Sequence, residues 1–230
     1  MSAKSTTHPQ DASGRRAFLG QLATTAATTA AVLGTGAGVL AVPRSLEALP
    51  PTQSSDPEHW LDKLSGKHRQ VFDGFVPNDG FPLAFAATFL ATQGPKPDAG
   101  AVLVLRHTAF PIALGDAVWE KYKIGETFKI TDPATNAPAV RNPFLKPKPG
   151  VLLTDEMAID RLIAKGVLVG GCNVALNVLS GKLAGNAGVT PQVALADWTA
   201  AVIPGITIIP SGVWGVNRAQ EKGCTYCSGG

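Results

Sequence analysis

The stretch Gly166-Val167-Leu168-Val169-Gly170-Gly171-Cys172-Asn173-Val174-Ala175-Leu176 constrains the fold more than any other part of the chain. Val167 to Val169 is a short β-branched and aliphatic run, too brief for a helix, and reads as a buried strand. Gly170 and Gly171 then permit a tight turn, and from Asn173 to Leu179 the spacing of Val174, Leu176, Val178 and Leu179 is helical. Cys172 thereby falls where a strand ends and a helix begins. Unpaired N–H groups in the first turn of that helix would stabilise a thiolate and lower its pKa. Cysteine is also a small residue that packs well under a helix, so this stretch leaves a reactive thiol and a buried one as equal readings.

The N-terminus carries an address. Ser13-Gly14-Arg15-Arg16-Ala17-Phe18-Leu19 closely resembles the twin-arginine export motif, with Arg15 and Arg16 as its core. An uncharged run rich in Ala, Thr and Gly follows from Leu22 to Val42, less hydrophobic than a committed membrane span. Val39-Leu40-Ala41 offers cleavage after Ala41, with Ala48 as a second position. The expected layout is a signal peptide over 1–41, a Pro/Ser-rich linker over 42–57 and one domain over 58–230, delivered to the periplasm without a stable membrane span after cleavage. An uncleaved N-terminus acting as a membrane anchor is the alternative. Gly34-Thr35-Gly36-Ala37-Gly38 has no strand before it and is discarded as a nucleotide loop.

Charge narrows the partners. Removing residues 1–41 takes three basic side chains and one acidic one, so the totals of 20 and 17 fall to 17 and 16. With no Lys/Arg cluster and no interleaved aromatics, nothing points to nucleic acid. Three cysteines are too few for a disulfide scaffold, and their odd number leaves at least one thiol free in a monomer.

The domain alternates strand and helix patterns. Helices are expected at 58–65, 81–92, 111–122, 155–165, 190–201 and 213–220, with strands at 69–75, 101–105, 167–169 and 206–209. Thr190-Pro191 is a helix start with Thr190 as cap, and 224–227 is a tail that adds an edge strand. Within 111–122, Leu114, Val118 and Trp119 face inward while Asp116, Glu120 and Lys121 face out. Residues 125–150 hold Pro133, Pro138, Pro143, Pro147 and Pro149 and read as an irregular excursion. This alternation implies an α/β fold, a mostly parallel sheet covered on both faces in three α/β/α layers.

From His68 to Cys227 the order of elements resembles the DsrE family, also described as the DsrE/DsrF-like or YchN-like fold. The resemblance rests on Leu103-Val104-Leu105-Arg106-His107, Gly171-Cys172-Asn173, Ile203-Pro204-Gly205-Ile206, Pro210-Ser211-Gly212-Val213 and Asn217-Arg218-Ala219-Gln220-Glu221-Lys222-Gly223. The chain departs from the family in its export signal, its proline-rich excursion and Arg106-His107-Thr108 in place of a histidine–glycine pair. The resemblance implies persulfide carriage on Cys172, a sulfur donor or acceptor protein as partner, and a homotrimer or a multiple of it. The helix face of 111–122 and the arm of 125–149 are the surfaces expected at such a subunit contact.

Two site readings follow. In a parallel sheet ligands sit outside the carboxyl ends of the strands, so Cys172 and His107, each ending a strand, are expected in one crevice. There His107 would hold a thiolate or donate to an anion, or else bond a neighbouring loop carbonyl. Ser211 lacks the glycine-flanked elbow of a serine nucleophile. Cys224 and Cys227 have the spacing of a redox or metal pair, but residues three apart on a strand face opposite ways. In an oxidising compartment a disulfide competes. Joined by Cys172 and His107, the pair would offer zinc or copper four soft ligands spread over three segments. A sulfur carrier or sulfurtransferase acting through Cys172, and a non-enzymatic ligand- or metal-binding or assembly module, remain as the two functions. An exposed Cys172 beside a basic crevice favours the first, a buried Cys172 the second.

Overall fold

Four of the expected β-rich runs pair with one another. In the computed structural model, which describes residues 57–94, 98–147, 152 and 154–230, β1 (His68–Gly74) and β2 (Ala99–Leu105) pair in parallel, with Val71 opposite Val102. β2 pairs with β5 (Leu168–Cys172), and β5 with β6 (Ile206–Ile209). The tail forms β7 (Thr225–Ser228) on the free side of β1, giving a five-stranded parallel sheet in the order β6-β5-β2-β1-β7. A two-residue hairpin, β3 (Thr131–Asp132) with β4 (Ala137–Pro138), lies outside it.

The alternation of side chains along β2 divides the interior in two. Ala101, Leu103 and Leu105 join the larger core with α1 (Phe81–Ala91), α3 (Ile159–Ala164), α4 (Asn173–Leu183) and α5 (Pro191–Ala200). Val102 and Val104 face the other way, onto Trp60, Leu61 and Ala219 of α6 (Gly212–Glu221). The fold is therefore α/β in three layers, the second helical layer being thin. Its thinness has a local cause: Gly170 and Gly215 let the Trp60 ring and Ile209 sit directly against the sheet and α6.

Four local expectations change. Gly170 and Gly171 do not turn; they extend β5, and the chain passes straight from Cys172 into α4. Residues 111–122 do not form an α-helix. They contribute to two 3-10 turns, His107–Ala113 and Asp116–Val118, and are followed by a short α2 (Ile124–Phe128). The cause is non-local, because the backbone of this segment pairs elsewhere: Ile203 N–H donates to Ala113 O at 3.0 Å and Gly115 N–H to Ala201 O at 2.7 Å. The expected inward residues Leu114, Val118 and Trp119 are buried, but Phe110, Ile112 and Tyr122 are too, so the apolar face of 111–122 is interior to the chain. The first helix is likewise only a 3-10 turn, Pro57–His59, and Asp155–Met157 is a 3-10 turn ahead of α3.

The proline-rich excursion is tied down rather than loose. Asn142, fully buried, donates from Nδ2 to Ile112 O at 2.9 Å and Leu114 O at 2.7 Å, and its Oδ1 accepts Phe144 N–H at 2.9 Å. Its own N–H donates to Asp116 Oδ1 at 2.9 Å. Among the described residues no helix is long and apolar enough to cross a membrane. Arg15, Arg16, both cleavage positions and nearly all of the linker lie outside the described residues.

Candidate functional site

The chain leaves β5 into α4 on one face of the sheet and leaves β6 into α6 on the other. Adjacent strands whose connections diverge open a crevice at their carboxyl ends, and one of about 330 Å³ lies there. Cys172, Arg106, His107 and Phe75 line it with Val178 of α4 and Val213 of α6. The expectation that Cys172 and His107 meet in one crevice is therefore met.

Cys172 caps α4. Its backbone is extended (φ −69°, ψ 114°), and Sγ accepts the Ala175 N–H at 3.3 Å, filling the role a Ser or Asp oxygen usually takes at a helix start. The residue is 5% exposed, so the thiol forms a floor rather than a protrusion. Ser211 caps α6 in the same way, Oγ accepting Trp214 N–H at 3.2 Å. Both helices thus direct their positive ends at the crevice. Its walls are apolar, and Phe75, Val174, Val178 and Val213 remain substantially exposed at the rim.

His107 is exposed and takes a left-handed backbone (φ +48°), a conformation that costs a residue with a side chain about 1–2 kcal/mol. What it gains is a stack on Phe75, with ring centroids 4.2 Å apart and planes 6° from parallel. The contact of its ring is thus an aromatic one.

The main charge of the crevice was missed by motif reading. Arg106 donates from Nε to Asp73 Oδ1 at 2.6 Å and from Nη2 to Asp73 Oδ2 at 2.8 Å, a bidentate pair between the ends of neighbouring strands. Tyr226 O–H, reaching in from β7, donates to Asp73 Oδ2 at 3.0 Å. The guanidinium also lies 4.6 Å from the Phe75 ring centroid. The hydrogen bonds to Asp73 raise the Arg106 pKa above its ordinary value, against the cost of burial. Gly212 makes room for this side chain, because a Cβ there would fall 2.4 Å from Arg106 Cβ. A sequence signal existed: opposite charges close two buried runs, Val71-Phe72-Asp73 and Val104-Leu105-Arg106.

The other cysteines are not brought to this crevice. Cys224 is buried on the α6 face of the sheet, where loss of solvent pushes its thiol up to about 11. Cys227 packs towards the opposite face, as the three-residue spacing on a strand required. All three cysteines are free. Among the described residues no three His, Cys, Asp or Glu side chains group to hold a metal ion, so the four-ligand zinc or copper set of Cys172, His107, Cys224 and Cys227 is not assembled.

No family model matches the chain, and no curated protein matches it. Among solved structures it is similar to the protein of unknown function MTH1491 from Methanobacterium thermoautotrophicum, at 12% identity and a TM-score of 0.39. That match covers 70% of this chain and 99% of the other.

Proposed function

We propose that the domain is a non-enzymatic binding module whose ligand site is the crevice at the carboxyl end of the sheet. The observation that carries this reading is Cys172, 5% exposed and turned onto the α4 backbone at the floor of an apolar cleft. An exposed apolar rim around a concave site of this size suits the body of a small ligand. The test is titration with the neutral apolar dye N-phenyl-1-naphthylamine. Binding is expected with enhanced fluorescence and weakened about tenfold by Val178→Asp, which sets a charge on the wall from a 60%-exposed position. A dye that ignores the protein, or binds the variant equally, overturns the reading.

The cap geometry of Cys172 favours a second reading, the sulfur carrier or sulfurtransferase. In it a Cys172 thiolate attacks a polysulfide, one S–S bond breaks, a shortened polysulfide leaves, and a persulfide remains on Sγ. Its Sγ sits at the N-terminus of an 11-residue helix and accepts the Ala175 N–H there. One experiment separates the two. With Cys224 and Cys227 replaced, fast alkylation without denaturant and one added sulfur atom by intact mass favour the carrier, and failure of both favours the binding module.

In either reading the protein is exported through the twin-arginine route to the periplasm, on the support of Arg15-Arg16, Phe18-Leu19 and the uncharged run behind them. A homotrimer or a multiple of it is the assembly the DsrE-like element order suggests. Light scattering that finds only monomer at micromolar concentration overturns it.

A further inference from the structure

We infer that the ligand is a small amphiphile with a single anionic head, a carboxylate on a short aliphatic body, anchored by Arg106. This rests on the binding-module reading and gives it a ligand class.

Arg106 has donors to spare. A guanidinium carries five N–H bonds. Asp73 takes the one on Nε and one on Nη2, which leaves the second on Nη2 and both on Nη1. Arg106 lines the crevice with its side chain 24% exposed, so the pair with Asp73 fixes the plane of the fork without hiding it. Asp73 also shares its charge with the Tyr226 hydroxyl, and so only part of its negative charge answers Arg106. The capped N-termini of α4 and α6 add positive partial charge at the same end. A planar carboxylate matches the free edge of the fork and makes charge-assisted hydrogen bonds there.

The remaining surface limits the rest of the ligand. Besides Arg106, the polar lining side chains are His107 and Ser211; Val174, Val178, Leu179 and Val213 form an apolar wall, so the body that lies on it is apolar. About 330 Å³ is at the small end of ligand pockets, roughly 300–1,000 Å³. Arg106 is the only Lys or Arg among the lining residues, so a second negative charge would find no guanidinium or ammonium of its own. A cationic head meets the guanidinium and both helix N-termini with like sign.

The test compares octanoate with its neutral isostere octanamide by calorimetry, with displacement of N-phenyl-1-naphthylamine as a second readout. Octanoate is expected to bind about tenfold tighter than octanamide. Arg106→Gln alone would strand the buried Asp73 carboxylate, so the paired variant Asp73→Asn with Arg106→Gln is used, and retained dye binding reports an intact crevice. The pair is expected to erase the preference. Asp73→Asn alone frees the guanidinium and is expected to raise octanoate affinity about threefold with octanamide unchanged. Equal binding of octanoate and octanamide overturns the anionic head while leaving the binding module standing. A preference that survives the paired variant overturns Arg106 as its anchor. Failure of the dye and both probes overturns the module and the ligand class together.

Discussion

The Trp60 indole lies directly on Gly170: a Cβ at residue 170 would stand 2.8 Å from Cζ3 of the ring and 2.9 Å from Ile209 Cδ1. The first described segment of the domain is thereby seated on the strand that ends in Cys172. Trp60 is 7% exposed and belongs to the smaller core with Val71, Val102 and Val104, so the contact closes the thin face of the sheet.

Gly170→Ala therefore overpacks that face. It is expected to cost about 2 kcal/mol, within the range for a methyl forced into a filled core. Urea unfolding followed by tryptophan fluorescence measures the loss. Trp60→Leu in combination should recover part of it, and strictly additive losses would show that the two positions do not press on each other.

Asn142 holds the excursion against the segment that replaced the expected helix. Asn142→Ala removes the side-chain partner of the Ile112 carbonyl and of the Phe144 N–H, and leaves Leu114 O with the Trp119 indole N–H alone, with an expected loss of about 3 kcal/mol. Asn142→Asp is expected to do no better, because a carboxylate cannot donate to the two carbonyls. A urea midpoint for Asn142→Asp equal to that of the unaltered protein would refute this account.

Alkaline stability follows from Cys224. Burial raises its folded pKa from the ordinary value near 9 to about 11, so the unfolded chain gives up this proton first. Folding is then favoured in full below about pH 9 and loses this contribution as pH rises towards about 11. The urea midpoint should fall across that window, and Cys224→Ala should flatten the fall. A further alkaline loss belongs to Tyr122, whose hydroxyl is pushed up by burial and by its hydrogen bond to Asp197. If Cys224→Ala leaves the slope unchanged, the thiol is not the group responsible.

Export rests on the arginine pair. Arg15→Lys with Arg16→Lys should leave the precursor in the cytoplasm, because the translocase reads the pair as an address. Periplasmic accumulation of the double variant at the normal level, by fractionation and immunoblot, would remove the basis for the proposed location.

What the chain states locally, its sequence determined. Val71-Phe72, Val102 to Leu105, Val167 to Val169 and Ile206 to Ile209 are too short and too apolar to be anything but buried strands, and all four pair in parallel. Thr190 caps α5, its Oγ1 accepting Val193 N–H at 3.3 Å, because a cap needs only its own next turn. The strand-to-helix junction at Cys172 follows from the same short-range periodicities, while its place in one crevice with His107 needs the pairing of β2 with β5.

Tertiary structure decided the rest wherever the answer lay with a distant partner. Gly170 and Gly171 look like a turn in isolation but are extended, since Trp60, Phe110, Ile208 and Ile209 fill the space above and below them. Residues 111–122 carry a helical pattern, yet Ala113 O accepts Ile203 N–H and Gly115 N–H donates to Ala201 O, so the middle of the segment pairs with 201–203 and helical turns form only on either side of it. Arg106 and Asp73 are 33 residues apart, and only the register of β1 against β2 places them together. The exposure of Cys172 was decided the same way. A strand-end thiol can face solvent or floor a cleft, and Val213, from a helix on the other side of the sheet, completes the cleft over it.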